Sequence, residues 1–225
     1  MAKPKVILFD VNETLLDMAA VRESVGKALG GRPELAPHWF TTMLHHAAVT
    51  TLADRYSNFG DIGAACLRMV AKNHGVELDE EAAKRAVSPM LSLRPHADVV
   101  PAFERLRDAG WRMAALSNSS TAALAEQMKN SGLDAFFEKQ LSVEEIGLFK
   151  PHAHLYRWAA RRLGADASEC LMVAAHGWDV AGAKWAGMQG AFLARPGQQP
   201  FPLAPPPDFS LQTLGELADL LARLQ

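Results

Sequence analysis

The sequence predicts an α/β fold built on an open parallel sheet. Three observations carry the prediction: short apolar runs recur along the chain, helix-period segments separate the later runs, and one long helical stretch follows the first. The first run, KVILF (5–9), has the length of a buried strand and leads straight into Asp10. RMAALS (112–117), KQLS (139–142), CLMVAA (170–175) and GAFLA (190–194) follow, with crossover-sized gaps between them.

Between the first and second runs no stretch reads convincingly as a strand. AAVRESVGKAL (19–29), PHWFTTMLHHAAVTTLADRY (37–56), NFGDIGAACLRMVAKNHG (58–75) and DEEAAKRAVSPML (79–91) all read as helices. The third stops at Gly75, and the fourth opens on acidic residues that suit a helix N-terminus. The chain is therefore expected to insert a helical cap domain, 17–97, into a core made of 1–16 and 98–225. The proline-rich RPGQQPFPLAPPPDF (195–209) is expected to be a loop, because proline lacks the N–H that regular elements need, and the last helix is LQTLGELADLLARL (211–224).

With 225 residues, 49% of them apolar, the chain can bury a substantial core. Its 23 Lys and Arg are scattered and its net charge is -2, so nothing suggests a nucleic-acid groove. No apolar run approaches the roughly 18 residues that span a bilayer, and the N-terminal residues enter a strand-like run without a cleavage-site pattern. The expectation is a cytoplasmic protein with no membrane partner. Cys66 and Cys170 lie far apart, with no CxxC or Cys/His spacing, and read as reduced thiols.

In an open parallel sheet, function gathers beyond the carboxyl ends of the strands, where the connecting loops converge. Asp10 follows the first run, Ser117-Asn118 the second, a loop ending in Lys150-Pro151 the third, and His176-Gly177-Trp178-Asp179 the fourth. Singly, each suits a helix cap or a strand-to-helix turn. Together they supply what a buried nucleophilic carboxylate needs: donors to orient it and a cation to keep it ionised.

The segments FDVNETLL, LSNSS, FKPHAHLY and AAHGWDVAGAKWAGM resemble, in that order, the four motifs of the haloacid dehalogenase superfamily, and the helical insert is similar to its cap. HWF with LHH, RYSNF and GWD narrow the resemblance to the type II L-2-haloacid dehalogenases. The resemblance covers essentially the whole chain and implies a Rossmann-like core closed by a helical cap. Phosphatases of the superfamily carry an aspartate where this chain has Asn12, and usually another, serving Mg²⁺, where it has Ala175. The resemblance therefore implies no metal and no cofactor.

It further implies that Asp10 attacks C2 of a short 2-haloalkanoic acid, expels halide and forms an aspartyl ester that water then hydrolyses. Thr14 and Lys150 would hold Asp10, and Ser117, Asn118 and the backbone N–H groups around Val11, Asn12 and Asn118 would bind the substrate carboxylate. Phe40, Leu44, Phe59 and Trp178 would form an apolar pocket, and Tyr156 matches a tyrosine near the site, although a core aromatic is an open alternative for it. A homodimer is implied in the same way.

Two departures stand out. The familiar type II enzymes place an arginine for the departing halide where this chain has Phe40, and an asparagine where it has His176. Without that arginine the halide needs another donor, and Trp178, His176 and the ring edges of Phe40 and Phe59 are the candidates. His176 is expected to face the loop carrying Glu13, a glycine in commoner relatives. The pair would activate the hydrolytic water, with Asp179 as the alternative base.

An exposed Glu13 with a satisfied buried His176 is the competing reading. His45, His46, His152 and His154 have no carboxylate or cysteine to complete a metal set and are expected at the surface. The function classes left open are the dehalogenase, a phosphatase-type hydrolase of the superfamily, and a catalytically silent small-acid-binding relative.

Overall fold

The computed structural model describes residues 3–224. Among these, six parallel strands form one sheet, β1 (Val6–Phe9), β2 (Arg112–Ser117), β3 (Lys139–Ser142), β4 (Cys170–Ala174), β5 (Gln189–Leu193) and β6 (Phe209–Leu211), in the order β3-β2-β1-β4-β5-β6. β1 is central, and all four of its residues are fully buried. Each such side chain contributes about 1.5–3 kcal/mol on leaving water. The register pairs Phe9 with Ala115 on one side and with Val173 on the other. Asp10 thus emerges from a strand clamped on both flanks, beside the ends of β2 and β4.

Helices α1 (Ala19–Ala28), α2 (Ala36–Leu52), α3 (Phe59–Asn73) and α4 (Glu80–Val87) separate β1 from β2 and pack on one another. Asn58 and Asp79 cap α3 and α4 by accepting from the N–H groups of Gly60 and Ala82. The chain leaves and re-enters the core at one place: Leu16 bridges Pro95, Asp17 N–H donates to Arg94 O at 2.8 Å, and His96 N–H donates to Leu15 O at 2.9 Å. The crossover helices are α5 (Val99–Asp108), α6 (Thr121–Ser131), α7 (Ala153–Arg162) and α8 (Gly177–Trp185), and α9 (Leu214–Ala222) packs on α5.

Several boundaries differ from the sequence reading. The expected loop over 195–209 ends in the edge strand β6, and α9 starts at Leu214 rather than at 211. Three residues on a sheet edge carry no periodicity, and the prolines before them masked the strand. The expected helix over 79–91 becomes α4 followed by a 3-10 turn at Ser88–Ser92, because Pro89 cannot continue the α-helical ladder.

The loop before β6 also crosses the start of α8. A side chain at Gly177 would run into the backbone oxygen of Gln199, so glycine there lets the loop lie against the first turn of α8. Both cysteines are free and buried, and burial pushes each thiol up to about 11. No helix among the described residues is long and apolar enough to cross a membrane.

Candidate active site

Asp10 lies at the centre of the site and is 6% exposed. Thr14 Oγ1 donates to its Oδ2 at 2.6 Å, and Lys150 Nζ donates to its Oδ1 at 2.9 Å. The Thr14 oxygen in turn accepts from the Ala175 N–H at 2.9 Å, so β4 orients the hydroxyl that orients the carboxylate. Lys150 is fully buried at its side chain and also donates to Asp179 Oδ2 at 2.8 Å, while Tyr156 O–H donates to the other Asp179 oxygen at 2.5 Å. Gly182 permits this packing: a Cβ there would come within 2.6 Å of Pro151 and 2.8 Å of the Tyr156 hydroxyl.

Burial alone would raise the pKa of Asp10, but the Lys150 charge foremost, then His176 and Thr14, hold it well below the usual carboxylate range. Lys150 is raised, because Asp10 and then Asp179 outweigh its burial. Asp179, with no exposed surface, is raised chiefly by burial, and Tyr156 is raised well above its ordinary value for the same first reason.

His176 closes the other side of the carboxylate. Its Nδ1 lies 3.0 Å from Asp10 Oδ2 and its Nε2 lies 2.8 Å from Glu13 Oε2. Glu13 also accepts from Arg22 at 2.6 Å and from the Gln198 amide at 3.1 Å, and its own carbonyl lies 3.0 Å from His96 Nε2. Burial would lower the His176 pKa, but the bonds to Asp10 and Glu13 push it up to about 9. Glu13 is lowered: burial opposes, and His176 and then Arg22 prevail.

Glu13 adopts φ 64°, a left-handed conformation that favours glycine. Strain of this kind persists where surrounding contacts over-determine the residue, and the partners of Glu13 do so here.

A cavity of about 630 Å³ opens over Lys150 and His176, lined by Trp39, Phe40, Leu44 and Trp178, with Glu13, Arg22 and Gln198 on its polar side. Phe40 and Trp178 both stack on the His176 ring, with centroids 6.1 and 5.0 Å away. His45 stands on the cavity rim, and His152 caps α7 by accepting from the His154 N–H.

The expected site residues divide in space. Asp10, Glu13, Thr14, Lys150, His176, Asp179 and Tyr156 form one continuous hydrogen-bonded cluster. Phe40, Leu44 and Trp178 line the cavity above it. Asn12 turns away, since its amide accepts from Gln127 at 2.9 Å and reaches Ser119 at 3.5 Å. Phe59 lies in a second cavity beside Ser119 and Ser120 and packs on Phe149.

Ser117 and Asn118 are buried at the end of β2. The Ser117 hydroxyl oxygen accepts from the Ser119 N–H, and the Asn118 side-chain Oδ1 accepts from the Lys150 N–H. Val11 is buried, and its backbone oxygen accepts from the N–H groups of Leu15 and Leu16.

The sequence reading missed Arg22 and Gln198. Arg22 has the signal of a basic residue shortly after an acidic loop, on the first turns of a helix. Gln198 carries none, because only the crossing of its loop over α8 brings it near Glu13.

Three comparisons with known proteins bear on this geometry. The profile of the haloacid dehalogenase-like hydrolase family matches residues 4–187. Haloacetate dehalogenase H-2 of Moraxella sp. (strain B) is 30% identical over 223 residues, covering 99% of this chain and all of that protein. The (S)-2-haloacid dehalogenase of Pseudomonas sp. (strain YL) is 29% identical, covering 96% and 94% of the two chains. Among solved structures, the L-2-haloacid dehalogenase from Xanthobacter autotrophicus with chloropropionic acid covalently bound superposes with a TM-score of 0.91 at 26% identity, each chain covered completely.

Proposed function

We infer the activity from the family to which this chain belongs, the haloacid dehalogenase-like hydrolases, and propose hydrolytic dehalogenation of short 2-haloalkanoic acids to 2-hydroxy acids. The observation that carries the reading is the state of Asp10: a buried carboxylate kept ionised by Lys150 and oriented by Thr14, beneath an apolar cavity that its partners Lys150 and His176 line. Such a group is a nucleophile waiting for an electrophilic carbon. A relative with chloropropionic acid covalently bound supports an intermediate esterified on the enzyme.

In the proposed reaction an oxygen of Asp10 attacks C2 from the face opposite the halogen, and the C–X bond breaks with inversion. The Ser117 hydroxyl, whose oxygen accepts from Ser119 N–H, keeps its own proton to donate to the substrate carboxylate beside Asn118. The halide leaves into the cavity, where Trp178 and the Arg22 guanidinium stand in for the absent arginine at Phe40. Water then attacks the carbonyl carbon of the ester. The base is His176 oriented by Glu13; Asp179 is less suited, because Lys150 and Tyr156 already occupy its oxygens.

The paired crossing of the chain at Leu16 and Pro95 supports a cap that begins near 17 and ends near 97. A cytoplasmic location and a homodimer belong to the same reading, on the resemblance already described.

The test is a halide-release screen of fluoro-, chloro- and bromoacetate and both enantiomers of 2-chloropropionate, with Asp10→Asn as control. Release from the S enantiomer that disappears in Asp10→Asn supports the reading. Release that persists in the variant removes Asp10 from the nucleophile role, and hydrolysis of a phosphate ester with no halide release turns the function toward a phosphatase.

A further inference from the structure

The substitutions at Glu13, Phe40 and His176 meet at one imidazole ring, and their geometry assigns it a charge. A neutral imidazole has one N–H and one bare lone pair. His176 has a carboxylate oxygen within 3.0 Å of each nitrogen, so a neutral ring would set a lone pair against an anion. Neither acid is free to supply the missing proton: Asp10 is held ionised by Lys150 and Thr14, and Glu13 by Arg22 and Gln198. The ring therefore carries both protons. Phe40 and Trp178, stacked on it, favour a cation through their electron-rich faces.

That assignment poses a difficulty for the reaction, since a ring that already holds both protons accepts none. We propose that His176 is the cation of the resting site and becomes the base only when Asp10 is esterified, so that its proton leaves with the halide and the hydrolytic water supplies the next one. The proposal rests on the dehalogenase reading and deepens it. Every charged group facing the ring takes part. Asp10 approaches from the end of β1 and Glu13 from the loop after it, Arg22 stands behind Glu13 on α1, and Lys150, with Asp179 beyond it, holds the far oxygen of Asp10. The neighbours from α2 and α8, Phe40 and Trp178, are neutral.

When Asp10 attacks C2, the new C–O bond turns a carboxylate into a neutral ester, and the C–X electron pair departs with halide. The imidazolium has then lost one of its two anions, while Lys150 and Arg22 remain. Burial, which opposes any charge on a ring this enclosed, now works against the cation, and the Nδ1 proton leaves through the cavity that His176 lines. The first half-reaction thus releases a halide and a proton together.

The freed Nδ1, which lay 3.0 Å from Asp10 Oδ2 in the resting site, stands within one water of the acyl carbon. That water gives one proton to Nδ1 as its oxygen bonds to the acyl carbon. The tetrahedral intermediate then collapses, its second water-derived proton passes to the departing alkoxide, and the 2-hydroxy acid leaves an ionised Asp10 beside a cationic His176. Glu13 stays on Nε2–H throughout and fixes which nitrogen is freed. An arginine in place of Phe40 would set a second cation against the ring, which gives a reason for the two departures to occur together.

The experiment is long-range ¹H–¹⁵N correlation on the full chain labelled at histidine, with the His176 signal assigned by its loss in His176→Asn. Wild type at pH 7.5 should show both ring nitrogens protonated. In Asp10→Asn, which resembles the ester in shape and lacks the charge, the ring should be mostly neutral with the proton on Nε2, its acid dissociation constant raised at least a hundredfold. Glu13→Gln, as a second variant, should raise that constant as well.

A neutral ring in wild type, or an unchanged charge state in both variants, overturns the proposal. Neither readout needs a substrate, so a failed halide screen would remove the function without deciding the charge of His176. With a haloacid that turns over, a single turnover in weakly buffered indicator should release one proton with the halide; proton release that instead follows the hydroxy acid overturns the proposal.

Discussion

Glu13 and His176, 163 residues apart in sequence, meet at 2.8 Å, and the Glu13 that makes this contact has its backbone at φ 64°. The side-chain contact and the backbone strain can be separated by substitution. Glu13→Gly and Glu13→Ala both remove the carboxylate, but only glycine relaxes the left-handed backbone. Glu13→Gly should therefore be the more stable of the two by about 1 kcal/mol in urea unfolding, with halide release falling in both. Equal stabilities would show that the backbone carries no strain.

Lys150 lies between two acids in a dry site, 2.9 Å from Asp10 and 2.8 Å from Asp179. Lys150→Met leaves two buried carboxylates without their cation and should destabilise by about 3–5 kcal/mol. Adding Asp179→Asn should recover part of that stability. Turnover should stay down by about 10²–10³-fold in both, because the charge that keeps Asp10 ionised is absent from each. Urea midpoints and halide release on the two proteins check this.

The pH dependence of stability should carry the signature of His176. Its folded pKa, about 9, lies above the ordinary histidine value, so its contribution is fully present below about pH 6.5 and lost as pH rises through 9. Asp10 and Glu13, both lowered, act in the opposite sense and withdraw their contributions on acidification. Urea midpoints at pH 6 and pH 9.5 should fall for wild type more than for His176→Asn. Parallel changes would remove the cation from the resting site.

Phe40 stacks on His176, so the two should be energetically coupled. Phe40→Arg brings a second cation to the ring and should destabilise by about 1 kcal/mol or more. In Phe40→Arg/His176→Asn that repulsion is gone, and the double variant should be more stable than the sum of the singles by about 1 kcal/mol. A double-mutant cycle in urea reads the sign directly, and additive effects would show that the ring carries no charge.

Tyr156 is fully buried and donates its hydroxyl to Asp179 at 2.5 Å. Tyr156→Phe keeps the ring packing and removes one donor from a buried carboxylate, which should destabilise by about 1–3 kcal/mol. It does not line the cavity, so KM for a haloacid should change little. A large rise in KM would place the hydroxyl on the substrate.

Much of the fold was legible because it rests on local patterns. The five apolar runs became strands within a residue or so of where periodicity set them, since a strand buried on both faces needs a continuous apolar run. β6 escaped because a three-residue edge strand has no such run. Asp10 and Lys150, picked out by strand-end position, and Thr14, picked out by the family resemblance, meet in one hydrogen-bonded cluster, but the directions taken by Asn12 and Phe59 could not be read from the sequence. A side chain's rotamer answers to neighbours that only the folded chain supplies, here Gln127 and Ser119 for Asn12 and Phe149 for Phe59.

Local pattern alone accounts for the parallel sheet, the helical insert, and the set of acids, lysine and histidine that the strand ends bring to one edge, because strand length, helix period and strand-end position are all written locally. That His176 has two acids rather than one emerges on folding. Charge state depends on every group within a few ångströms: Asp10 and Glu13 reach that ring from the end of β1 and its loop, and Arg22 and Gln198 reach Glu13 from two further segments of the chain. The pairing of Glu13 with His176 could be read as two substitutions that fit each other chemically; that the resting ring is a cation required the distances.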